Sequence, residues 1–336
     1  MLDRQTLAIF IIVHKNYKQV ERLVNKLTSS EVDIYIHCDA RWNDGFEKLK
    51  QIESDSIFLV NQRYQTDTDT WRLIEAPMEM YRFSISEVKR RYKYYSLISG
   101  QDYPIKKIAE IVEELNRYYP KPFIDCTPYD RDNWIYKKFE CYQFHKRFFM
   151  NRYKRCSDFY RWANRKTERG RRQIKRPVHL FEDSLHHLED TIDKYHNPKR
   201  KLDKLGVEIY GGSAWWILPD EIMEYAYSEY EKNDKYIRVL SKTKTPEETF
   251  FQIMAMRSPL AYAVEVNPED MVLQNCKTYA YFFGDNKPFK FHPYEFTMDD
   301  IELLKEKSKT CYFARKFDTS VDEDIFDYVD NELLNH

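Results

Sequence analysis

Seven consecutive apolar residues, positions 7–13, constrain the fold of this chain more than any other stretch. A strand with one wet face alternates polar and apolar residues. An unbroken apolar run reads instead as a strand buried on both faces, as in the middle of a parallel sheet. The run is far below the ~20 residues a membrane-spanning helix needs. It also lacks a basic leader and a small-residue cleavage site, so it does not read as a signal peptide. The next hundred residues agree with a central strand. Residues 17–27 carry Val20, Leu23, Val24 and Leu27 at helical spacing, and 32–37 and 56–60 read as strands. Residues 70–90 read as a long helix with Leu73, Ala76, Met80 and Phe83 inward, 94–98 as a fourth strand, and 105–117 as a helix with Pro104 at its first turn. This alternation predicts an α/β fold, a Rossmann-type, mostly parallel sheet flanked by helices. Ligands bind such sheets outside the carboxyl ends of the strands. Those ends carry His14, Asp39 and Ser99-Gly100-Gln101-Asp102.

The middle of the chain differs. Residues 133–175 read as helical and basic, with fifteen Lys or Arg against three Asp or Glu between positions 137 and 176 and aromatics interleaved. A solvated helical face, a nucleic-acid surface and a surface for anionic lipid all fit this pattern; no RRM, KH or helix-turn-helix signature supports nucleic acid. The lipid reading is preferred, since each cation near such a surface is worth ~1 kcal/mol. Beyond it, 207–218 reads as a strand broken at Gly211-Gly212 by a bulge or close backbone approach, and 221–232 and 247–255 read as helices. With no repeat and no Pro/Gly/Ser linker, residues 1–336 are expected to form a single domain with 133–205 as a basic helical insertion. A net charge of −1 argues against a whole-molecule polyanion binder. The six cysteines contain no CxxC pair, so a zinc site is not expected and reduced thiols are.

Several residues suit chemistry, each with a plainer alternative. Glu247 and Glu248 follow Pro246, where acidic residues ordinarily favour a helix start; a carboxylate there also serves as a general base. Arg315-Lys316 lies between aromatics, either as surface charge or as a cation pair for a developing anion. Asp39 ends a strand, as a turn former or as a ligand to nucleoside hydroxyls. Asp102 either contacts a sugar or caps the helix expected near Ile105. Trp215 and Trp216 point to opposite faces of a strand, so one belongs to the core and the other is free to stack on a sugar. His14 and His37 read as structural. Two Asp-x-Asp triplets, Asp67-Thr68-Asp69 and Asp130-Arg131-Asp132, read as chance matches in a chain one-third charged, with Asp69 or Thr70 as an N-cap.

Four segments carry a resemblance when taken in order: Tyr95-Ser96-Leu97-Ile98-Ser99-Gly100-Gln101-Asp102-Tyr103-Pro104, Gly212-Ser213-Ala214-Trp215-Trp216, Thr245-Pro246-Glu247-Glu248 and Phe313-Ala314-Arg315-Lys316-Phe317-Asp318. Together they resemble the core-2/I-branching β-1,6-N-acetylglucosaminyltransferase family, which also contains the peptide xylosyltransferases, from Ile12 to Phe317. The resemblance implies a GT-A-like fold and an inverting, metal-independent glycosyltransferase without a cofactor. It would move a sugar, N-acetylglucosamine first and xylose or glucose as alternatives, from a UDP-sugar to a glycan or lipid-linked acceptor. It implies Glu248 as general base and Lys316 with Arg315 on the diphosphate. Lys277, in Cys276-Lys277-Thr278-Tyr279, stands where the family has an upstream arginine. Asp39 and Asp102 fall on the donor side, and Ser213, Trp215 and Trp216 on the acceptor side. With no anchor visible, a bacterial-type, cytoplasmic enzyme at the inner face of the membrane is expected, with no nucleic-acid partner. A non-catalytic sugar- or membrane-binding protein is the alternative from another class.

Overall fold

The computed structural model describes residues 5–129, 198–243, 245–267, 275–281 and 293–335. Strands β1 (Gln5–Val13), β2 (Val32–Cys38), β3 (Ile57–Leu59) and β4 (Tyr92–Ser99) run parallel. β9 (Trp216–Pro219) pairs antiparallel with both β4 and β6 (Phe123–Ile124). These six strands form one sheet in the order β3-β2-β1-β4-β9-β6, and helices on both faces make the fold mixed α/β and GT-A-like. β1 lies in the middle and supplies the reason for its unbroken apolar run. Leu7, Ile9, Ile11 and Val13 enter one core while Ala8, Phe10 and Ile12 enter the other, and all are essentially buried. Full burial of a Leu, Ile or Phe side chain is worth ~1.5–3 kcal/mol, so neither face of β1 tolerates a polar residue.

On the first face lie α1 (Tyr17–Leu27), α2 (Asn43–Leu49) and α4 (Ile108–Tyr118), joined later in the chain by helices at Ile301–Ser308 and Asp324–Tyr328. On the second lie α3 (Arg72–Ser86) and the later helices Asp220–Lys232 and Phe250–Arg257. Asn16 starts α1 in a left-handed conformation, and its side chain accepts from the Gln19 amide. A second sheet of three strands, β10 (Thr278–Ala280), β11 (Phe313–Arg315) and β5 (Asp102–Pro104), sets β11 between a parallel and an antiparallel neighbour. β7 (Thr127–Pro128) and β8 (Tyr210–Gly211) form a small antiparallel pair.

The structure corrects several expected boundaries. Pro104 does not open a helix. It ends β5 opposite Phe313, and α4 begins at Ile108. An edge strand accepts proline because that residue needs no ladder donor. α3 is shorter than 70–90: Lys89 turns with positive φ, and Arg90 donates to the buried Asp33. The stretch 207–218 is two strands in different sheets rather than one broken strand. Residues 247–255 divide into a 3-10 turn, Pro246–Glu248, and a helix from Phe250. The close approach expected at Gly211-Gly212 is found at Gly212, where a Cβ would fall 1.9 Å from the Asp125 carbonyl oxygen. The basic stretch 133–175, Cys141, Cys156 and the Asp130/Asp132 triplet lie outside the described residues. Cys38, Cys126, Cys276 and Cys311 are buried and unbridged.

Candidate active site at the carboxyl ends of the sheet

The ends of β1, β2 and β4 converge because their loops bond to one another. The Asp39 amide donates to the Val13 carbonyl (2.8 Å) and the Gly100 amide to the Ile12 carbonyl (3.0 Å). The segment Phe313 to Asp318 is brought to the same edge. Phe317 donates its amide to the Gln101 carbonyl (2.8 Å). The buried Gln19 side chain donates to the carbonyls of Gly100 (2.8 Å) and Phe317 (3.0 Å) and accepts from the Thr319 amide (3.1 Å). Phe317 itself is core, packed on Tyr103, Phe296 and Phe326. Lys316 is thereby presented beside the ends of β1 and β5 from a rigid strand end.

Asp102 and Arg315 face each other across β5 and β11. Asp102 is fully buried, and its Oδ2 accepts from the Ser99 amide and from Ser99 Oγ (2.6 Å). Its Oδ1 lies 3.4 Å from Arg315 Nε, a contact of charges without hydrogen-bond geometry. The Arg315 guanidinium is also buried and lies 3.9 Å from the centre of the Trp215 ring, within range of a cation–π contact. Arg315 Nη1 finds no acceptor among the described residues. Burial pushes the Asp102 carboxyl up, against Arg315 and Ser99, and pulls the Arg315 guanidinium down, against Asp102. Guanidinium basicity is high enough that Arg315 keeps its charge. Lys316 is half-buried; burial and then Arg315 lower its basicity, while Glu295 and Asp102 oppose. Arg315 acts electrostatically on Lys316, and an anion within reach of both is favoured.

Asp39 is placed here but its acceptor capacity is taken up internally. Oδ1 accepts from the Arg41 amide (2.8 Å) and Nε (2.9 Å), and Oδ2 from Arg41 Nη2 (2.8 Å), the Thr66 amide (2.8 Å) and Thr66 Oγ1 (3.0 Å). Burial alone would raise this carboxyl, but those donors hold it well below the usual carboxylate range. Asp67 is engaged by Arg41: its Oδ1 accepts from Arg41 Nη1 (2.7 Å), while the Asp69 amide turns to Glu247. Among the described residues no cluster of three His, Cys, Asp or Glu is arranged to hold a metal. His37 reads as structural: Nε2 accepts from the Tyr64 amide (3.0 Å), and burial lowers its pKa to about 4. His14 ends β1 within electrostatic reach of Asp39, Arg41 and Lys316.

The two tryptophans divide as a strand requires. Trp216 is fully buried against Phe251, with ring centres 4.5 Å apart, and Trp215 covers Arg315. The segment that carries them is tied to the turn of Glu248. The Gly212 amide donates to the Glu248 carbonyl (2.9 Å), and Gln252 donates to the Ser213 carbonyl (2.7 Å). A continuous path thus runs from Glu248 through Gly212, Ser213 and Trp215 to Arg315 and Asp102. Lys277 is not on it. Its Nζ donates to the Thr310 carbonyl (3.0 Å) and lies over Phe123 and Tyr312; it precedes β10, whose Thr278 pairs with Phe313 and Ala280 with Arg315, so Lys277 sits at the far end of the strand from Arg315. Residue-by-residue reading missed Arg41, Gln19 and Asp125, whose Oδ1 accepts from the amides of Asn275 and Cys276. Only Arg41, two residues from Asp39, was within reach of local sequence reasoning.

Set beside known proteins, the chain is similar to enzymes named as xylosyltransferases. It is 22% identical to xylosyltransferase sqv-6 of Caenorhabditis elegans over 96% of its length, and 22% identical to xylosyltransferases 2 and 1 of Rattus norvegicus over 97% and 98%. The chain spans about a third of the length of these curated relatives (36%, 33% and 36%). No family model matches it.

Proposed function

We propose that this chain is an inverting glycosyltransferase that moves a sugar from a UDP-sugar to a hydroxyl of a glycan or lipid-linked saccharide. The observation that carries the reading is the meeting of Arg315 and Lys316 with the carboxyl ends of β1, β2 and β4, under Trp215 and joined through Gly212 to the turn of Glu248. In the reaction Glu248 takes the proton of the acceptor hydroxyl as its oxygen attacks the anomeric carbon. The bond from that carbon to the diphosphate breaks, and UDP departs with its new charge against Lys316 and Arg315. Preorganised cations in a site shielded from water are often the largest single contribution to such a step. Asp39 acts on the donor side by fixing Arg41 and Thr66, and Asp102 by fixing Arg315. Ser213 and Trp215 border the acceptor, while Trp216 supports them from the core. We take the diphosphate to be held by side chains, with no metal.

The resemblance of the four segments favours N-acetylglucosamine as the sugar, and the names of the relatives favour xylose equally. Acceptor delivery at an anionic membrane face by the basic stretch belongs to the same proposal; no helix among the described residues is long and apolar enough to cross a membrane. The test is UDP release and glycosidic product formation with UDP-N-acetylglucosamine, UDP-xylose and UDP-glucose over a panel of saccharide acceptors. Glu248→Gln is expected to lower kcat ~10²–10⁴-fold and to leave UDP affinity nearly unchanged. A Glu248→Gln enzyme as fast as the native one removes Glu248 from the chemistry, and the absence of product with every donor removes the proposal.

A further inference from the structure

The loop between β3 and α3, residues 61–70, is fixed at both ends to different parts of the candidate site. At one end Tyr64 donates its amide to His37 and accepts from the Ala40 amide (3.0 Å each). Thr66 donates twice to Asp39, and Asp67 accepts from Arg41. At the other end the Asp69 amide, presented by a left-handed residue with φ 63°, donates to Glu247 Oε1 at 2.9 Å. Glu247 is buried and adjoins Glu248. Just past the loop, Trp71 packs edge-on against Phe250, with ring centres 5.4 Å apart, at the start of the helix after the Glu248 turn.

On the proposed reaction, we infer that residues 61–70 are a strap joining the donor side to the general base, with Glu247 and Arg41 as its two anchoring, positioning residues. Glu247 is then neither a second base nor a helix cap. Its carboxylate spans from the turn of Glu248 to the strap, and the strap is in turn held by the Asp39–Arg41 unit at the end of β2. Order imposed on Arg41 by a bound nucleotide reaches Glu248 through this chain of hydrogen bonds, so that the base is set when the donor is in place.

The requirement at Glu247 is an acceptor oxygen, which an amide also supplies. Glu247→Ala is therefore expected to lower kcat ~10–100-fold, the size of effect a small misplacement of a catalytic group produces, with little change in KM for the donor or in UDP affinity. Glu247→Gln is expected to restore most of that loss. Arg41→Ala is expected to lower kcat as well as weaken UDP binding; a residue that only contacted the donor would do the second alone. Hydrogen exchange in peptides covering 61–70 gives a readout without turnover: faster in Glu247→Ala and Arg41→Ala, close to native in Glu247→Gln. If the native protein transfers no sugar, the proposed function fails, and exchange still decides the strap. Unchanged exchange in Glu247→Ala overturns the strap. So does equal damage from Glu247→Ala and Glu247→Gln. If Glu247→Ala does not fold, Arg41→Ala decides alone: unchanged exchange or an unchanged kcat overturns the inference.

Discussion

Asp318 ties the strand end that presents Lys316 to the end of β1, and its removal has a calculable cost. Its Oδ2 accepts from Lys15 Nζ (2.5 Å) and from Gln101 Nε2 (3.4 Å), and its Oδ1 from the amide (3.0 Å) and hydroxyl (2.6 Å) of Ser320. Burial raises this carboxyl, but Lys15 and Ser320 more than offset it and hold the pKa at about 2 against an ordinary 3.8. That difference corresponds to about 2 kcal/mol of folding stability by linkage. Lys15 is 46% exposed, so water screens the pair, and about 1–2 kcal/mol is the expected loss for Asp318→Asn at pH 7. In thermal unfolding that is a fall of roughly 1–3 °C for a chain of this length. Because the folded pKa lies below the unfolded one, the stabilisation is complete above about pH 5. It is lost as pH falls through 3.8 towards 2. The gap between native protein and Asp318→Asn should therefore narrow steadily between pH 5 and pH 3. Urea titrations at several pH values measure it. A gap that stays constant, or widens in acid, refutes the assignment of the stabilisation to the ionised carboxylate.

Three further outcomes are expected. Lys316→Ala should weaken UDP binding at least ~10-fold while leaving uridine binding nearly unchanged, since a charged hydrogen bond is worth ~1.5–3 kcal/mol; calorimetry with both ligands checks it, and equal losses would make Lys316 a residue of the fold. Trp216→Ala should cost ~3–5 kcal/mol of stability, as for other buried aromatics, whereas Trp215→Ala should cost much less and act mainly on turnover; comparable melting temperatures for the two variants would contradict the division of roles. UDP should raise the melting temperature equally in EDTA and in Mn²⁺; a shift abolished by EDTA and restored by Mn²⁺ would show that a metal holds the diphosphate.

The parts of the fold that could be read from sequence are those decided locally. β1 was legible because burial on both faces removes every polar residue from it, and α1 because one apolar stripe at helical spacing meets one face of the sheet. β5 was not, since Pro104 suits a helix start as well as an edge strand, and the choice is made by Phe313, more than two hundred residues later. The same distance hid the Asp102–Arg315 pair: Asp102 alone reads as a sugar contact or a helix cap and Arg315 as surface charge or an anion partner, and neither reveals that it is buried against the other. Ser213 and Trp215 lie beside the turn of Glu248, to which the Gly212 amide and Gln252 tie their segment. Lys277 did not join them, because parallel pairing with β11 fixes its height at the opposite end of the strand from Lys316.

Gln19 and Phe317, Asn16 and Thr319, and Lys15 and Asp318 are each about three hundred positions apart in the chain (298, 303 and 303). A polypeptide leaving the ribosome makes β1 to β4 early, and local pairing of these strands needs nothing that comes later. Lys316 arrives only after almost every other described strand has been made, and closure of such distant contacts is slow. Assembly of the site therefore waits for synthesis to pass Asp318. On the proposed reaction, a nascent chain, or one released short of that point, carries the sheet ends without the cation that a departing diphosphate requires, and so has no means of consuming nucleotide sugar until Lys316 is in place.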